Sequence, residues 1–321
     1  MTTFKEIRGT TIEVVSSDPS NPEGGQIWYN SSSGTLKGYA TATVGTFASG
    51  GNMNTAQSYA VGTQNATLAF GNPVTESYNG TSWTTLPAAI SPTRDGLAGA
   101  GTQTAALGFG GPIGGGTSQS WNGSSWTSTP SLNTARGYLA GAGATNTAAL
   151  AFGGYPSNPT TTAATESWNG SSWTNVNSMN TARGELGGAG TQGTSLAFGG
   201  EPDPNVGSVT TATESWNGTS WTTVNSMNTA RKSLRSGTGI STAAVAFGGY
   251  TNSPAGTKTA TEVWNGTSWT TNPTGLTTAR GNASNAGSLA AAIVLQGPPT
   301  SLGTEEWNGP GSLTTKTITV S

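Results

Sequence analysis

The chain has 321 residues, a formal net charge of -2 and only 8% charged residues. Gly and Pro, with 49 and 16 residues, make up about a fifth of it, against roughly an eighth in ordinary globular proteins. Because it contains no Cys and no His, disulfide frameworks, thiol nucleophiles, zinc fingers and His-based acid–base pairs are excluded.

The near-neutral charge without Lys/Arg clusters argues against nucleic-acid binding, which needs a basic stripe. The longest strongly apolar run, Leu289 to Leu295, is far shorter than the roughly 18 to 20 residues that span a bilayer. The N-terminus has no apolar stretch behind its positive charges, so we expect a protein made in the cytoplasm without a signal peptide. Eleven Trp argue against disorder.

Residues 1–43 precede a repeat and form an N-terminal attachment or closure segment. Within them, Gly-Gln-Ile-Trp-Tyr-Asn at 25–30 and Gly-Thr-Leu-Lys at 34–37 predict two short strands around a polar turn. This stretch resembles the Gly-x-Ile-Trp-Tyr-Asn…Gly-x-Leu-Lys segment common in phage tail and fibre proteins. The resemblance implies a virion protein.

Residues 44–321 are dominated by an internal repeat. The segment Glu-Ser-Trp-Asn-Gly-Ser-Ser-Trp at 166–173 recurs at 214–221 and 262–269, with weaker copies at 76–83, 119–126 and 305–309. Each copy has an Asn-Thr-Ala-Arg-like element and an apolar run that ends in Gly. The repeat arginines lie 42 to 49 residues apart, and Gln57 takes their place in the first copy. They are Arg94, Arg136, Arg183, Arg231 and Arg280. Six copies of this length predict a solenoid or a propeller.

Local sequence patterns distinguish a propeller from a solenoid. Asn-Gly is a strong hairpin signal, and a two-residue loop would pair Trp168 with Ser171 and Glu166 with Trp173. The run 148–152 is apolar without alternation, as in a strand buried on both faces, and the small residues 187–190 suit an inner strand. With no helical periodicity, each repeat predicts four short antiparallel strands, which is a propeller blade.

The order Arg183, Phe198-Gly199-Gly200, Trp216 and Trp221 resembles the kelch family, and the resemblance covers residues 54–313. Trp-Asn-Gly replaces the Tyr-Asp-Pro type of turn found in that family. The resemblance implies an all-β fold, a six-bladed β-propeller of four-stranded antiparallel kelch-like blades over residues 44–321. We expect either the strand around residues 45–47 or the strand at 313–320 to close the sixth blade.

Kelch propellers place the repeat arginine near one mouth of the central channel, where some members hold ligands. Carried over, the five arginines would form a positively charged ring that suits carboxylates, phosphates or acidic sugars. The alternative, which we favour, is that each arginine ties its entry loop to the neighbouring blade.

The repeat glutamates and the Trp pairs resemble glycosidase acids and sugar-stacking platforms. Their regular recurrence favours structural roles, with Glu bonding an arginine or backbone amides and Trp forming interblade core. The recurring Asn-Gly-Ser/Thr matches a glycosylation pattern, but in hairpins it is turn chemistry.

The loops between second and third strands vary most between repeats, and loops on a rigid scaffold commonly bind ligands. They span residues 112–118, 155–164, 201–212 and 250–260, and Tyr155 and Tyr250 are their binding candidates.

Three functional classes follow. The first is a non-catalytic, tail- or fibre-associated phage virion protein whose propeller loops bind a host-surface or virion partner. The second is a stand-alone kelch-type module that binds protein or glycan. The third is an enzyme, but kelch copper oxidases need imidazole ligands, and a sialidase-like glycosidase needs three non-equivalent arginines that nothing singles out. We therefore expect a protein of the virion or extracellular surface without catalysis, metal, cofactor, nucleic-acid partner or membrane insertion.

Overall fold

A computed structural model describes residues 13–18, 27–41, 45–235, 238–252, 255–295, 302–310 and 313–318. These ranges contain strands and turns and no helix. The chain divides into two compact units, one formed by Met1–Gly45 with Gly309–Ser321 and the other by Thr46–Asn308. The predicted division at residues 43 and 44 differs from this one chiefly at the C-terminus.

The strands are numbered in chain order. The first four are β1 (Glu13–Val15), β2 (Ile27–Asn30), β3 (Thr35–Thr41) and β4 (Thr46–Asn52). The next eight are β5 (Tyr59–Thr63), β6 (Ala66–Phe70), β7 (Thr75–Tyr78), β8 (Trp83–Leu86), β9 (Leu97–Gly101), β10 (Ala106–Gly110), β11 (Ser118–Trp121) and β12 (Trp126–Thr129). They are followed by β13 (Ala140–Thr145), β14 (Ala148–Phe152), β15 (Thr165–Trp168), β16 (Trp173–Val176), β17 (Gly187–Gly190), β18 (Ser195–Phe198), β19 (Thr213–Trp216) and β20 (Trp221–Val224). The last ten are β21 (Thr238–Ile240), β22 (Ala243–Phe247), β23 (Tyr250–Asn252), β24 (Ala255–Thr257), β25 (Thr261–Trp264), β26 (Trp269–Asn272), β27 (Ser284–Gly287), β28 (Ala291–Leu295), β29 (Gly303–Asn308) and β30 (Leu313–Ile318).

The smaller unit holds one four-stranded sheet in the order β1-β2-β3-β30. Strands β2 and β3 form the antiparallel hairpin that the Ile-Trp-Tyr-Asn motif predicts, and β1 pairs with β2 in parallel. Strand β30 pairs with β3, from Leu36 opposite Ile318 to Thr41 opposite Leu313. The C-terminal strand therefore belongs to this sheet and not to a repeat.

Among the described residues of the larger unit there are six four-stranded antiparallel sheets, which confirms the prediction of four short strands for each repeat. Sheets 1 to 4 are β5–β8, β9–β12, β13–β16 and β17–β20, each in chain order. Sheet 5 is β21-β22-β25-β26, with β23 and β24 as a separate hairpin between its second and third strands. Sheet 6 is β27-β28-β29-β4.

The fourth strand of sheet 6 comes from the start of the larger unit. Strand β4 pairs antiparallel with β29, so that Phe47 lies opposite Trp307. The Phe47 ring lies 5.0 Å from the Trp307 ring and 5.7 Å from the Phe247 ring of sheet 5, where the other repeats have their second Trp. Of the two predicted closing strands, the one around residues 45–47 is therefore the one that completes the sixth sheet.

The Asn-Gly hairpins differ from the two-residue loop expected. Trp168 lies directly opposite Trp173, with ring centroids 5.4 Å apart, so the loop has four residues. The expected pairings of Trp168 with Ser171 and of Glu166 with Trp173 are wrong. The reason is that the Asn169 side-chain oxygen accepts hydrogen bonds from the backbone N–H groups of Ser171 and Ser172, both at 2.9 Å, which stabilises a wider turn.

The hydrophobic core lies between neighbouring sheets. In sheets 1 to 4, the Phe of the second strand packs against the second Trp of the next sheet, as in Phe152 with Trp221, whose ring centroids are 5.0 Å apart. The indole N–H of Trp221 donates to Thr165 of the preceding sheet at 3.0 Å. Trp168 and Trp173 are buried, which confirms that the Trp pairs belong to the core.

The first strands of the six sheets contact one another in order from β5 to β9, β13, β17, β21 and β27, and β27 contacts β5 in turn. Small residues permit this approach, since a Cβ added to Gly188 would lie 2.7 Å from the Phe152 ring. Repeated four-stranded antiparallel sheets in this arrangement fit a β-propeller.

Each sheet has two distinct edges because its strands alternate in direction. One edge carries the connection between the second and third strands together with the segment that enters the first strand, and we call it the loop edge. Backbone pairs at this edge join Gly137 to Tyr155 and Gly184 to Glu201. The opposite edge carries the hairpin between the first and second strands of each sheet and, in sheets 1 to 5, the hairpin between the third and fourth strands. We call it the hairpin edge.

Candidate functional site

The repeat arginines lie in buried ion pairs with the repeat glutamates. Arg183 contacts Glu214 at 3.0 Å, and both side chains are at most 1% exposed. The Glu214 carboxylate also accepts the backbone N–H of Asn180 at 2.6 Å and of Thr181 at 3.3 Å. The carboxylate therefore fixes the Asn-Thr-Ala-Arg segment that enters the sheet. The same pair recurs as Arg136–Glu166, Arg231–Glu262 and Arg280–Glu305.

This geometry confirms the structural interpretation of the repeat glutamates, which bond an arginine and backbone amides. It corrects the interpretation of the arginines in one respect. Each arginine contacts the third strand of the sheet that it enters, whereas we expected a tie to the neighbouring blade. The reason is that the entry segment crosses the loop edge of its own sheet, where the Glu of the third strand faces it.

Two repeats replace one partner of the pair by Gln. In sheet 1, Gln57 donates to Glu76 at 3.3 Å, and in sheet 2, Arg94 donates to Gln119 at 3.2 Å. Burial lowers the pKa of Arg94 to about 10, since no carboxylate contacts its guanidinium. Each of these two sheets therefore keeps a hydrogen bond between the two positions, but only one of the two side chains is charged.

The arginines are not displayed to a ligand in this structure. All five are at most 3% exposed, and the carboxylates or carbonyls described above already bind their guanidinium groups. A ligand would have to displace those partners, so the burial argues against the predicted ring of ligand-binding charge. The set comprises Arg94, Arg136, Arg183, Arg231 and Arg280.

A channel of about 100 Å³ runs along the first strands of the six sheets. Gly and Ala make up most of its lining, and the larger side chains that line it are Tyr59, Val61, Thr238 and Asn285. Thr238 and Asn285 hydrogen bond to each other. Burial raises the pKa of Tyr59 to about 12. Backbone groups and these few side chains are what the channel offers to a ligand.

At the loop edge, the residue two positions after each repeat arginine has a left-handed backbone. Tyr138 and Glu185 both have φ near 52°, which costs energy for residues with a Cβ. The Tyr138 N–H donates to Gly96 O at 2.7 Å, and the Glu185 N–H donates to Tyr138 O at 2.9 Å. Asn282 and Ser233 continue the series at 3.1 Å. These bonds link successive sheets around the end of the channel.

The five residues that stand two positions after the repeat arginines are all of different types, so comparison of the repeat sequences does not identify this position as functional.

The length of the entry segment is a second difference between the repeats. Sheets 2, 3, 4 and 6 have seven residues from the repeat arginine to the Gly near the end of the first strand, as from Arg183 to Gly190. Sheet 5 has eight, from Arg231 to Gly239, and Arg235 lies in this longer segment with φ 41°.

Arg235 joins the entry segments of several sheets. Its guanidinium binds both carboxylate oxygens of Asp95, with Nη2 to Oδ2 at 3.2 Å, and its Nε donates to Asn282 at 3.2 Å. It also lies over the Tyr138 ring at 5.4 Å. Burial would raise the pKa of Asp95, but the hydrogen bonds and charge of Arg235 outweigh it and lower that pKa. Ser233 donates to Glu185 beside this group.

The two predicted tyrosines occupy different positions. Tyr155 is 4% exposed, packs with its ring against Gly184 and donates to Glu201 at 2.6 Å. Burial and that hydrogen bond raise its pKa. Lys232 contacts the other oxygen of Glu201 at 2.6 Å. Tyr155 is therefore part of the packed base of the loops, whereas Tyr250 is partly exposed at the start of β23.

No protein-family model and no curated protein sequence matches the chain. Within the ranges that the structure describes, no group of three or more acidic side chains is placed to hold a metal ion. The same ranges contain no helix that is long and apolar enough to cross a membrane.

Proposed function

We propose that sheets 1 to 6 are the blades of a closed six-bladed, kelch-like β-propeller. We further propose that the protein is a non-catalytic, tail- or fibre-associated component of a phage virion. Its loop edge would bind a host-surface or virion partner. The observation that carries this proposal is the distribution of charge on the larger unit.

Apart from the buried repeat pairs and Glu306 of β29, every charged residue of the larger unit lies at the loop edge. The set comprises Asp95, Glu185, Glu201, Asp203, Lys232, Arg235 and Lys258. The hairpins at the other edge contain only uncharged residues. Charged side chains set specificity and association rate in interfaces, so their segregation supports the loop edge as the partner-binding surface.

Apolar residues at the loop tips support the same surface. Ile113 is 42% exposed, Val206 is 73% exposed and Leu302 is 41% exposed, and all three lie between the second and third strands of their sheets. These loops are also the most variable part of the repeat. Exposed apolar side chains beside charged ones are typical of binding sites.

The virion assignment rests on the Ile27–Asn30 and Thr35–Lys37 segments, which resemble phage tail and fibre proteins. They form the hairpin of the smaller unit, and we propose that this unit attaches the protein to the particle. A stand-alone protein- or glycan-binding module is the second candidate, because the same loop edge supports it without the attachment.

Mass spectrometry and immunogold labelling of purified virions test the virion assignment, and absence of the protein from the particles would refute it.

Binding of the purified chain to host cells tests the loop edge as the binding surface. We expect Ile113→Ser with Val206→Ser to weaken binding by about tenfold or more. The matched control is Ile240→Ser, since Ile240 is 55% exposed but lies next to the hairpin edge. Equal effects of both changes would contradict the choice of surface. Binding without presence in virions would favour the stand-alone module.

A further inference from the structure

A groove lies between the fourth strand of sheet 3 and the Asn-Gly hairpin of sheet 4. It is shallow and open to solvent, with a volume of about 420 Å³. Its lining residues are Asn175, Val176, Asn177, Trp216, Gly218 and Thr219.

The groove has a defined polar wall. The Asn177 side chain donates from Nδ2 to the backbone carbonyl of Thr219 at 2.8 Å, which ties the two sheets together. This bond leaves the Asn177 side-chain oxygen and its second N–H for a ligand. The Thr219 backbone N–H is held by Asn217 at 2.9 Å, so its exposed hydroxyl is presented from a fixed turn.

The same arrangement recurs once. Asn225, at the end of β20, donates to the backbone carbonyl of Thr267 at 2.8 Å, next to the hairpin of sheet 5. In the other repeats with a fourth strand of this type, the position of Asn177 and Asn225 is occupied by Pro87, Pro130 and Pro273. Proline has no side-chain amide, so two of the repeats carry this feature.

The chemistry of the lining selects the ligand. Amide and hydroxyl groups both donate and accept, and the groove has no charged side chain to compensate an ionic ligand for its lost hydration. Val176 and Trp216 add a small apolar area beside the polar wall. An uncharged molecule with many hydroxyl groups and short apolar patches matches this combination, and a neutral carbohydrate is such a molecule.

The geometry points to two equivalent subsites for a neutral polysaccharide, at Asn177–Thr219 and at Asn225–Thr267. They lie on consecutive sheets, so one polymer that reaches both gains avidity over a short oligosaccharide. This inference is independent of the virion assignment and of the partner at the loop edge.

The test uses the full chain and an array of neutral and acidic oligosaccharides, followed by calorimetry with the strongest neutral binder. We expect binding to neutral members and an affinity that is the same in low and high salt, since exposed charges contribute nothing. Absence of any neutral binder, or selective binding of acidic members that salt weakens, would overturn the inference.

Matched variants locate the site. Thr219→Lys and Thr267→Lys each introduce a charge and bulk into one proposed subsite, and each should lower the affinity by about tenfold, with a larger loss for the double variant. Ser171→Lys makes the same change on the hairpin beside Pro130 and should leave binding unchanged. An equal loss with Ser171→Lys would overturn the inference.

Asn177→Pro provides a variant whose folding the other repeats already support, because proline occupies this position in three of them. It should retain the melting temperature within a few degrees and lose affinity for the neutral glycan. Analytical sedimentation of the same variants tests whether a second copy of the chain, and not a glycan, occupies the groove. If Thr219→Lys dissociates a dimer of the unsubstituted chain and leaves glycan binding intact, the groove is a self-association surface and the inference is wrong.

Discussion

The guanidinium of Arg235 binds the carboxylate of Asp95, although the two residues are 140 positions apart and enter sheets 5 and 2. Going round the ring of contacting first strands, two sheets separate these residues in either direction. A direct ion pair between them therefore crosses the end of the channel. The pair, with Asn282 and Tyr138, joins four of the six sheets at this point.

Breaking this pair should destabilise the larger unit. Arg235→Met and Asp95→Asn should each lower the free energy of unfolding, and a double-mutant cycle should give a coupling of about 1 kcal/mol. The value is modest because the Asp95 side chain is 43% exposed. Urea denaturation at neutral pH measures it, and a coupling of zero would contradict the cross-channel contact.

The same pair predicts a pH dependence. Because Arg235 holds the pKa of Asp95 below its ordinary value of 3.8, the pair stabilises the fold above that value and loses its effect as the pH falls through the lowered pKa. The stability difference between the unsubstituted chain and Arg235→Met should thus be full at neutral pH and shrink in acid below about pH 3.8. A difference that grows in acid would contradict this assignment.

The buried repeat pairs predict an order among substitutions of Arg183. Arg183→Met leaves Glu214 buried without a cation and should cost about 3 to 5 kcal/mol of unfolding free energy. Arg183→Gln should cost about 1 to 2 kcal/mol, because Gln57 already accompanies Glu76 in sheet 1. Chemical denaturation of the two variants side by side tests the order, which would be wrong if Gln cost as much as Met.

The four-strand repeat and the buried role of its Glu and Trp residues were predictable from sequence because they recur in identical positions. The closing strand was predictable as one of two candidates, since Phe47 has the spacing of a second Trp. Arg235 was not predictable, because one extra residue in a single repeat breaks the pattern used to find functional positions. The four-residue hairpin was missed because the Asn169 side chain, and not the Asn-Gly dipeptide alone, sets the turn.

Restoring the missing carboxylate in sheet 2 should stabilise the protein. Gln119→Glu places an acid beside the buried guanidinium of Arg94 and should raise the unfolding free energy by about 1 kcal/mol at neutral pH. The gain should fade as the introduced carboxyl is protonated in acid. Ser128→Glu adds the same charge at an exposed position of β12 and serves as the control. If the two substitutions raised the unfolding free energy equally, the cause would be the change in net charge and not the ion pair with Arg94.

Asp18 predicts a titration in the smaller unit. Its carboxylate accepts hydrogen bonds from Lys37 at 2.7 Å, from Asn30 at 2.7 Å and from the indole of Trp28 at 3.1 Å, and these lower its pKa to about 2. Stability from these bonds is present above the ordinary value of 3.8 and is lost as the pH falls towards 2. The Trp28 indole N–H resonance, assigned with Trp28→Phe, should shift with a midpoint near 2. A midpoint near 4 would contradict these contacts.

Strand β4 completes the sixth sheet, and the central proposal is that this pairing closes the propeller. The chain has no Cys, so a disulfide can be introduced without competition. Ala48 and Glu306 are opposite residues of β4 and β29, and such pairs have Cα separations of about 4.5 to 5.5 Å, within the range that a disulfide accepts. The double variant Ala48→Cys with Glu306→Cys should oxidise completely without loss of the fold and melt at a higher temperature than its reduced form. Failure to oxidise, or a lower melting temperature on oxidation, would contradict closure of the ring by β4.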